Sequence, residues 1–62
     1  MSDPYTGLLL ETASDLAGRR GYVPIHVVSG STVDREDLSE GYEYVVLVYD
    51  EKTNKVLSYF QV

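Results

Sequence analysis

Residues 44 to 50, Tyr-Val-Val-Leu-Val-Tyr-Asp, constrain the fold more than any other segment. They are rich in β-branched and aromatic residues and apolar on both faces, the signature of a strand covered on both sides rather than one with a wet face. Such a strand needs pairing partners at its edges and something packed on each face. Glu51-Lys52-Thr53-Asn54 follows as a turn, and Asn54 tolerates the left-handed backbone that such turns require. Residues 55 to 61 return as a second strand, so the two segments predict an antiparallel hairpin. Upstream, Tyr22-Val-Pro-Ile-His-Val-Val28 reads as a third strand. Pro24 cannot donate to a ladder, which makes this an edge strand or delays its pairing until after the proline.

The first third reads as a helix over 3–17. Asp3 is placed to cap it, with Pro4 at the first helical position, where a missing N–H costs nothing. Leu9, Ala13, Leu16 and Ala17 share one helical face. Gly7 weakens the first turn, which would move the start toward Thr6. Gly18 suits the position just past the helix, and Arg19 and Arg20 place positive charge at its C-terminal end. The expected fold is a single α+β domain over 1–62. One N-terminal helix packs on a small three-stranded sheet, with a long loop between strands 1 and 2.

That loop, residues 29 to 43, is fifteen residues long, and loops of this length in small domains are usually functional or mobile. A short helical turn near Arg35–Glu40 would also fit. Five of the ten acidic residues fall within it: Asp34, Glu36, Asp37, Glu40 and Glu43. They give either ordinary solubility charge or an acidic stripe that steers the protein onto a basic surface. Six tyrosines against one phenylalanine and no tryptophan mark either half-buried sheet positions or a contact patch. Tyr42 and Tyr44 flank the acidic run.

The inventory argues against catalysis. His26 is the only histidine and there is no cysteine, so neither a nucleophile–base pair nor a three- or four-ligand zinc site can be assembled readily. The acidic run lacks the alternating spacing and central glycine of a calcium loop. Gly18-Arg19-Arg20-Gly21 lacks the spacing and the Lys-Ser/Thr pair of a phosphate loop. No cofactor and no metal are expected, and His26 is expected to be structural or a surface imidazole. A formal net charge of −5 disfavours direct nucleic-acid binding. No apolar run approaches the roughly 20 residues of a membrane span, and Leu8-Leu9-Leu10 is too short for a signal-peptide core. The expectation is a soluble cytoplasmic protein with no membrane contact. At 62 residues without disulfides the core is marginal, so stability must come from packing or from a partner.

One resemblance is carried by particular residues. Thr32-Val33-Asp34 follows Gly30-Ser31 at the end of a strand, and Val48 to Val56 form a hairpin. Together with the element order, these look like the potato inhibitor I family of serine-protease inhibitors, the eglin and chymotrypsin inhibitor 2 type, over roughly residues 22–62. The resemblance implies an inhibitory loop in which Val33 fills the protease specificity pocket and Asp34 follows the scissile bond. The family anchors its loop with arginines from the following strand. Tyr44 and Val46 stand at those places here and are expected not to supply that anchor, for which Arg35 is a substitute within the loop. The apolar, glycine-containing segment that precedes the family's helix has no counterpart when the helix is read over 3–17.

Three functions follow as expectations. The first is a non-catalytic binding or inhibitory protein acting on a macromolecular partner, most concretely a serine protease, through loop 30–43. The second is an acidic antagonist or mimic that blocks a basic, nucleic-acid-binding protein surface. It would use Asp34, Glu36, Asp37, Glu40 and Glu43 with Tyr42 or Tyr44 as an aromatic anchor. The third is a structural subunit or homodimer formed by sheet extension at a strand edge.

Overall fold

A computed structural model describes residues 4–31 and 38–61. It consists of α1 (Leu10–Arg19), β1 (Val23–Val28), β2 (Tyr44–Tyr49) and β3 (Val56–Gln61), in that order. One helix packs on a three-stranded mixed sheet, the α+β arrangement expected, with strand order β1-β2-β3. β1 runs parallel to β2, pairing Val23 with Tyr44 through Val28 with Tyr49. β2 and β3 form the expected antiparallel hairpin, with Val46 opposite Phe60 and a bulge near Tyr49. β1 is an edge strand. Its Val23 N–H donates to the Glu43 carbonyl at 2.8 Å, so by alternation Pro24 turns outward, where its missing N–H leaves no gap in the ladder.

The parallel pairing accounts for the long connection. The chain leaves β1 beside Tyr49 and must re-enter beside Val23, recovering the length of a six-residue strand, about 20 Å at 3.3 Å per residue. Parallel neighbours need a dozen or more residues to do this. The length of 29–43 is therefore a topological requirement, and a functional role for it must rest on other observations. Among the described residues of this connection no helix or strand forms, and Leu38–Glu40 is not helical.

The helix differs from expectation at both ends. It starts at Leu10, not in the Asp3–Thr6 region; Asp3 itself lies outside the described residues. Gly7 adopts φ +89°, a left-handed conformation that interrupts a helix and is available to glycine at little steric cost. The backbone groups freed by this break pair with the sheet. Gly7 N–H donates to the Val56 carbonyl at 2.8 Å, Val56 N–H to Leu8 at 2.8 Å, and Leu10 N–H to Asn54 at 2.7 Å. An apolar, glycine-containing segment, Tyr5 to Leu9, thus does precede the helix. Leu9, expected on the buried face, is 52% exposed, whereas Ala13 and Ala17 are fully buried.

At the other end Gly18 lies within the helix and Arg20 is the cap. Gly21, at φ +89°, takes the left-handed position instead. Tyr22 N–H reaches the Ala17 carbonyl at 3.0 Å and Gly21 N–H reaches Gly18 at 3.1 Å, the paired bonds of a Schellman motif. The Arg19–Asp15 ion pair, 3.0 Å long, lies exposed on the helix surface and contributes little.

The core lies between α1 and one face of the sheet: Tyr5, Ala13, Ala17, Val45, Leu47 and Val56, with Leu8, Leu10, Leu16, Tyr22 and Tyr59 packed against it. Tyr5 meets Tyr59 edge-on, with ring centroids 4.8 Å apart. The hairpin turn is held by Asp50, whose carboxylate accepts from Lys52 N–H at 2.9 Å, and by Asn54 at φ 58°, as its sequence signal predicted. Among the described residues no helix is long and apolar enough to cross a membrane.

Candidate surface on the face opposite the helix

Val45 and Leu47 belong to the helix-side core, so by strand alternation Tyr44, Val46 and Val48 point to the other face. Their register partners Val23, Ile25, Val27, Ser58 and Phe60 share that face. Among the described residues no helix lies there, yet Val46 is fully buried and Val27 is 7% exposed.

The returning limb of the connection reaches this face. Ser39 N–H donates to the Tyr44 hydroxyl at 3.1 Å, and the Tyr42 and Tyr44 rings lie 6.2 Å apart, tilted by 57°. Tyr44 therefore does tie the connection to β2, contrary to expectation, through one hydroxyl rather than a guanidinium. Val46, the other position at which no anchor was expected, is buried and has no group to offer.

The departing limb is also held. Ser29 N–H donates to the Tyr49 carbonyl at 2.8 Å, and Ser31 N–H to Val28 at 2.9 Å, closing a turn in which Gly30 sits at φ +94°. Both limbs of the connection are thus bonded to the sheet or to the end of β1. Thr32, Val33, Asp34, Arg35, Glu36 and Asp37 lie between them and outside the described residues. Glu40, Tyr42 and Glu43 are exposed, Tyr42 at 63%. Of the nine residues expected to meet a partner, the structure brings Tyr42 and Tyr44 together and places Glu40 on the same limb.

Tyr44 also lines a cleft of about 240 Å³ with Tyr22, Glu43 and Gln61, at the end of the sheet where β1 and β2 begin. His26 lies on the helix side, lining an open groove with Glu11, Ser14, Asp15 and Arg19. Among the described residues no group of three or more His, Cys, Asp or Glu side chains could hold a metal ion. Sequence reasoning missed the Tyr44–Ser39 bond because a five-residue span in an irregular segment carries no local pattern.

The tether has a measurable consequence. Tyr44→Phe removes one hydrogen bond, about 0.5–1.5 kcal/mol. The connection should then be cut by a non-specific protease roughly two- to tenfold faster, with cleavage confined to residues 30–43. Limited proteolysis followed by mass spectrometry checks this. An unchanged rate would mean that Tyr44 does not hold the limb.

Comparison with protein-family models, curated proteins and solved structures finds no significant match to this chain. What the fold and the tethered surface define is an architecture: a helix packed on a mixed three-stranded sheet, with a connection bonded at both limbs.

Proposed function

We propose that this chain is a small non-catalytic binding protein that docks on a macromolecular partner through loop 30–43, most concretely an inhibitor of a serine protease. One observation supports this above the rest: the two limbs flanking Thr32–Asp37 are each hydrogen-bonded, at Ser31 and at Ser39. A segment suspended between fixed limbs loses less conformational entropy on docking, which is how a protease-binding loop gains affinity. The Tyr44 bond takes the part that arginines play in the potato inhibitor I family. The Tyr5–Leu9 segment before α1 supplies a feature of that family which the residue pattern had not revealed. In this reading Thr32, Val33 and Asp34 meet the protease, with Val33 entering the specificity pocket and Asp34 following the scissile bond.

Val33→Gly tests the reading. A pocket-filling valine contributes roughly 1.5–3 kcal/mol of burial, so the variant should inhibit chymotrypsin-like and subtilisin-like proteases roughly 10- to 100-fold less well. Its urea midpoint should match the parent's, because a loop position changes binding and leaves the core intact. Equal inhibition by parent and variant would remove Val33 from the contact.

A further inference from the structure

β3 presents an open sheet edge, and we propose that it pairs antiparallel with β3 of a second copy of this chain to form a continuous six-stranded sheet. The direction of each backbone group follows from the bonds that are made. Val23 N–H to Glu43 and Ser29 N–H to Tyr49 turn the odd residues of β2 toward β1. Tyr44, Val46 and Val48 therefore face β3, and through the pairs Val46–Phe60 and Val48–Ser58 they engage Ser58 and Phe60. The bulge opposite Val48 and Tyr49 turns Leu57 as well as Ser58 toward β2, which leaves Tyr59 and Gln61 with N–H and C=O groups pointing away from the sheet. Among the described residues no strand covers them, because β3 ends the strand order.

The other free edges are blunted. On β1, Pro24 has no N–H to offer and the Val28 carbonyl accepts from Ser31. At the start of β3, Val56 is bonded to Gly7 and Leu8. The open stretch is thus Tyr59–Gln61, with Phe60 between them 48% exposed.

A second copy suits this stretch by symmetry and by charge. An antiparallel pair about a two-fold axis at Phe60 sets Tyr59 against Gln61 of the second copy and Gln61 against its Tyr59, so the outward groups of both residues meet partners. The two Phe60 side chains then stand directly opposite each other across the axis, on the same face. The chain carries a formal net charge of −5, yet residues 52 to 62 contain no Asp or Glu, so this edge brings no carboxylate against another.

Sedimentation of the full chain from micromolar to millimolar concentration tests the proposal, with Gln61→Pro and Phe60→Asp as variants. Gln61→Pro removes an N–H that the chain's own sheet does not use and deletes two hydrogen bonds per dimer, so association should weaken roughly tenfold or more. Phe60→Asp should also shift the chain to monomer by placing two carboxylates across the axis. Circular dichroism of both variants should match the parent, as should melting at concentrations where the parent is monomeric, confirming that only association has changed. A parent that stays monomeric throughout would overturn the proposal, as would a dimer that survives Gln61→Pro. Monomeric parent that instead takes up an unrelated extended peptide along β3 would assign the edge to another protein and equally contradict self-pairing.

Discussion

Tyr5→Ala is expected to lose about 3–5 kcal/mol, the range for truncating a buried aromatic ring. A chain of this length has a total stability of only about 3–9 kcal/mol, so the variant should be largely unfolded. The ring is 1% exposed and is one of the largest side chains in the core. It packs edge-on against Tyr59, and the Arg20 guanidinium lies 6.0 Å from its centroid. Its loss would open a void between α1, β2 and β3 that alanine and valine neighbours cannot close. It would also release the Gly7–Leu8 pairing that covers the start of β3. Tyr5→Phe keeps the ring and should retain most of the stability. Urea denaturation followed by circular dichroism measures both. A Tyr5→Ala midpoint equal to the parent's would show that the segment before the helix is not part of the core.

Val46→Asp should abolish the cooperative unfolding transition altogether. Val46 is fully buried, on the face that α1 does not cover. A carboxylate there would have to be desolvated without a partner, at a cost of several kcal/mol, or be protonated at comparable expense. Phe60→Asp is the control. It sits directly opposite Val46 and on the same face, but is half exposed, and should change the stability of the monomer by less than about 1 kcal/mol. The contrast measures whether the face opposite the helix is sealed at its centre and open at its β3 edge. A folded Val46→Asp variant would mean that this face is wet.

The parts of the fold that were legible in the residues are those governed by local pattern. The apolar run at 44–49 and its return at 56–61 carry their own period, and Asp50 and Asn54 carry the turn chemistry that joins them. Pro24 left open an edge strand or a delayed start to pairing; β1 pairs from Val23 and is the edge strand, with Pro24 turned outward. The parallel pairing of β1 with β2 had no local signature; only the fifteen-residue connection reflects it, and that length reads equally well as a functional loop. Asp3 and Pro4 carry the residue signal of a capped first turn, yet the helix starts at Leu10. Pairing of Gly7 and Leu8 with the edge of β3 competes with that signal and prevails, and Gly7 makes the break inexpensive. Two glycines competed for the helix end, and the Schellman bonds select Gly21 over Gly18. The candidate surface was legible only as composition, an acidic stretch flanked by tyrosines. That the Tyr44 hydroxyl should hold Ser39 depends on the register of β2 and on which face Tyr44 occupies, and neither can be read from neighbours in the chain.

Titration against chymotrypsin-like and subtilisin-like proteases tests most directly the proposal that loop 30–43 docks on a protease. Residual activity is followed together with the site and rate of cleavage of the added chain. Stoichiometric inhibition of at least one of these proteases is expected, with slow cleavage confined to the bond after Val33. Rapid cleavage within residues 30–43 without inhibition would contradict it, and would leave the acidic, tyrosine-bearing surface at Glu40, Tyr42 and Glu43 as the feature to pursue with basic partners.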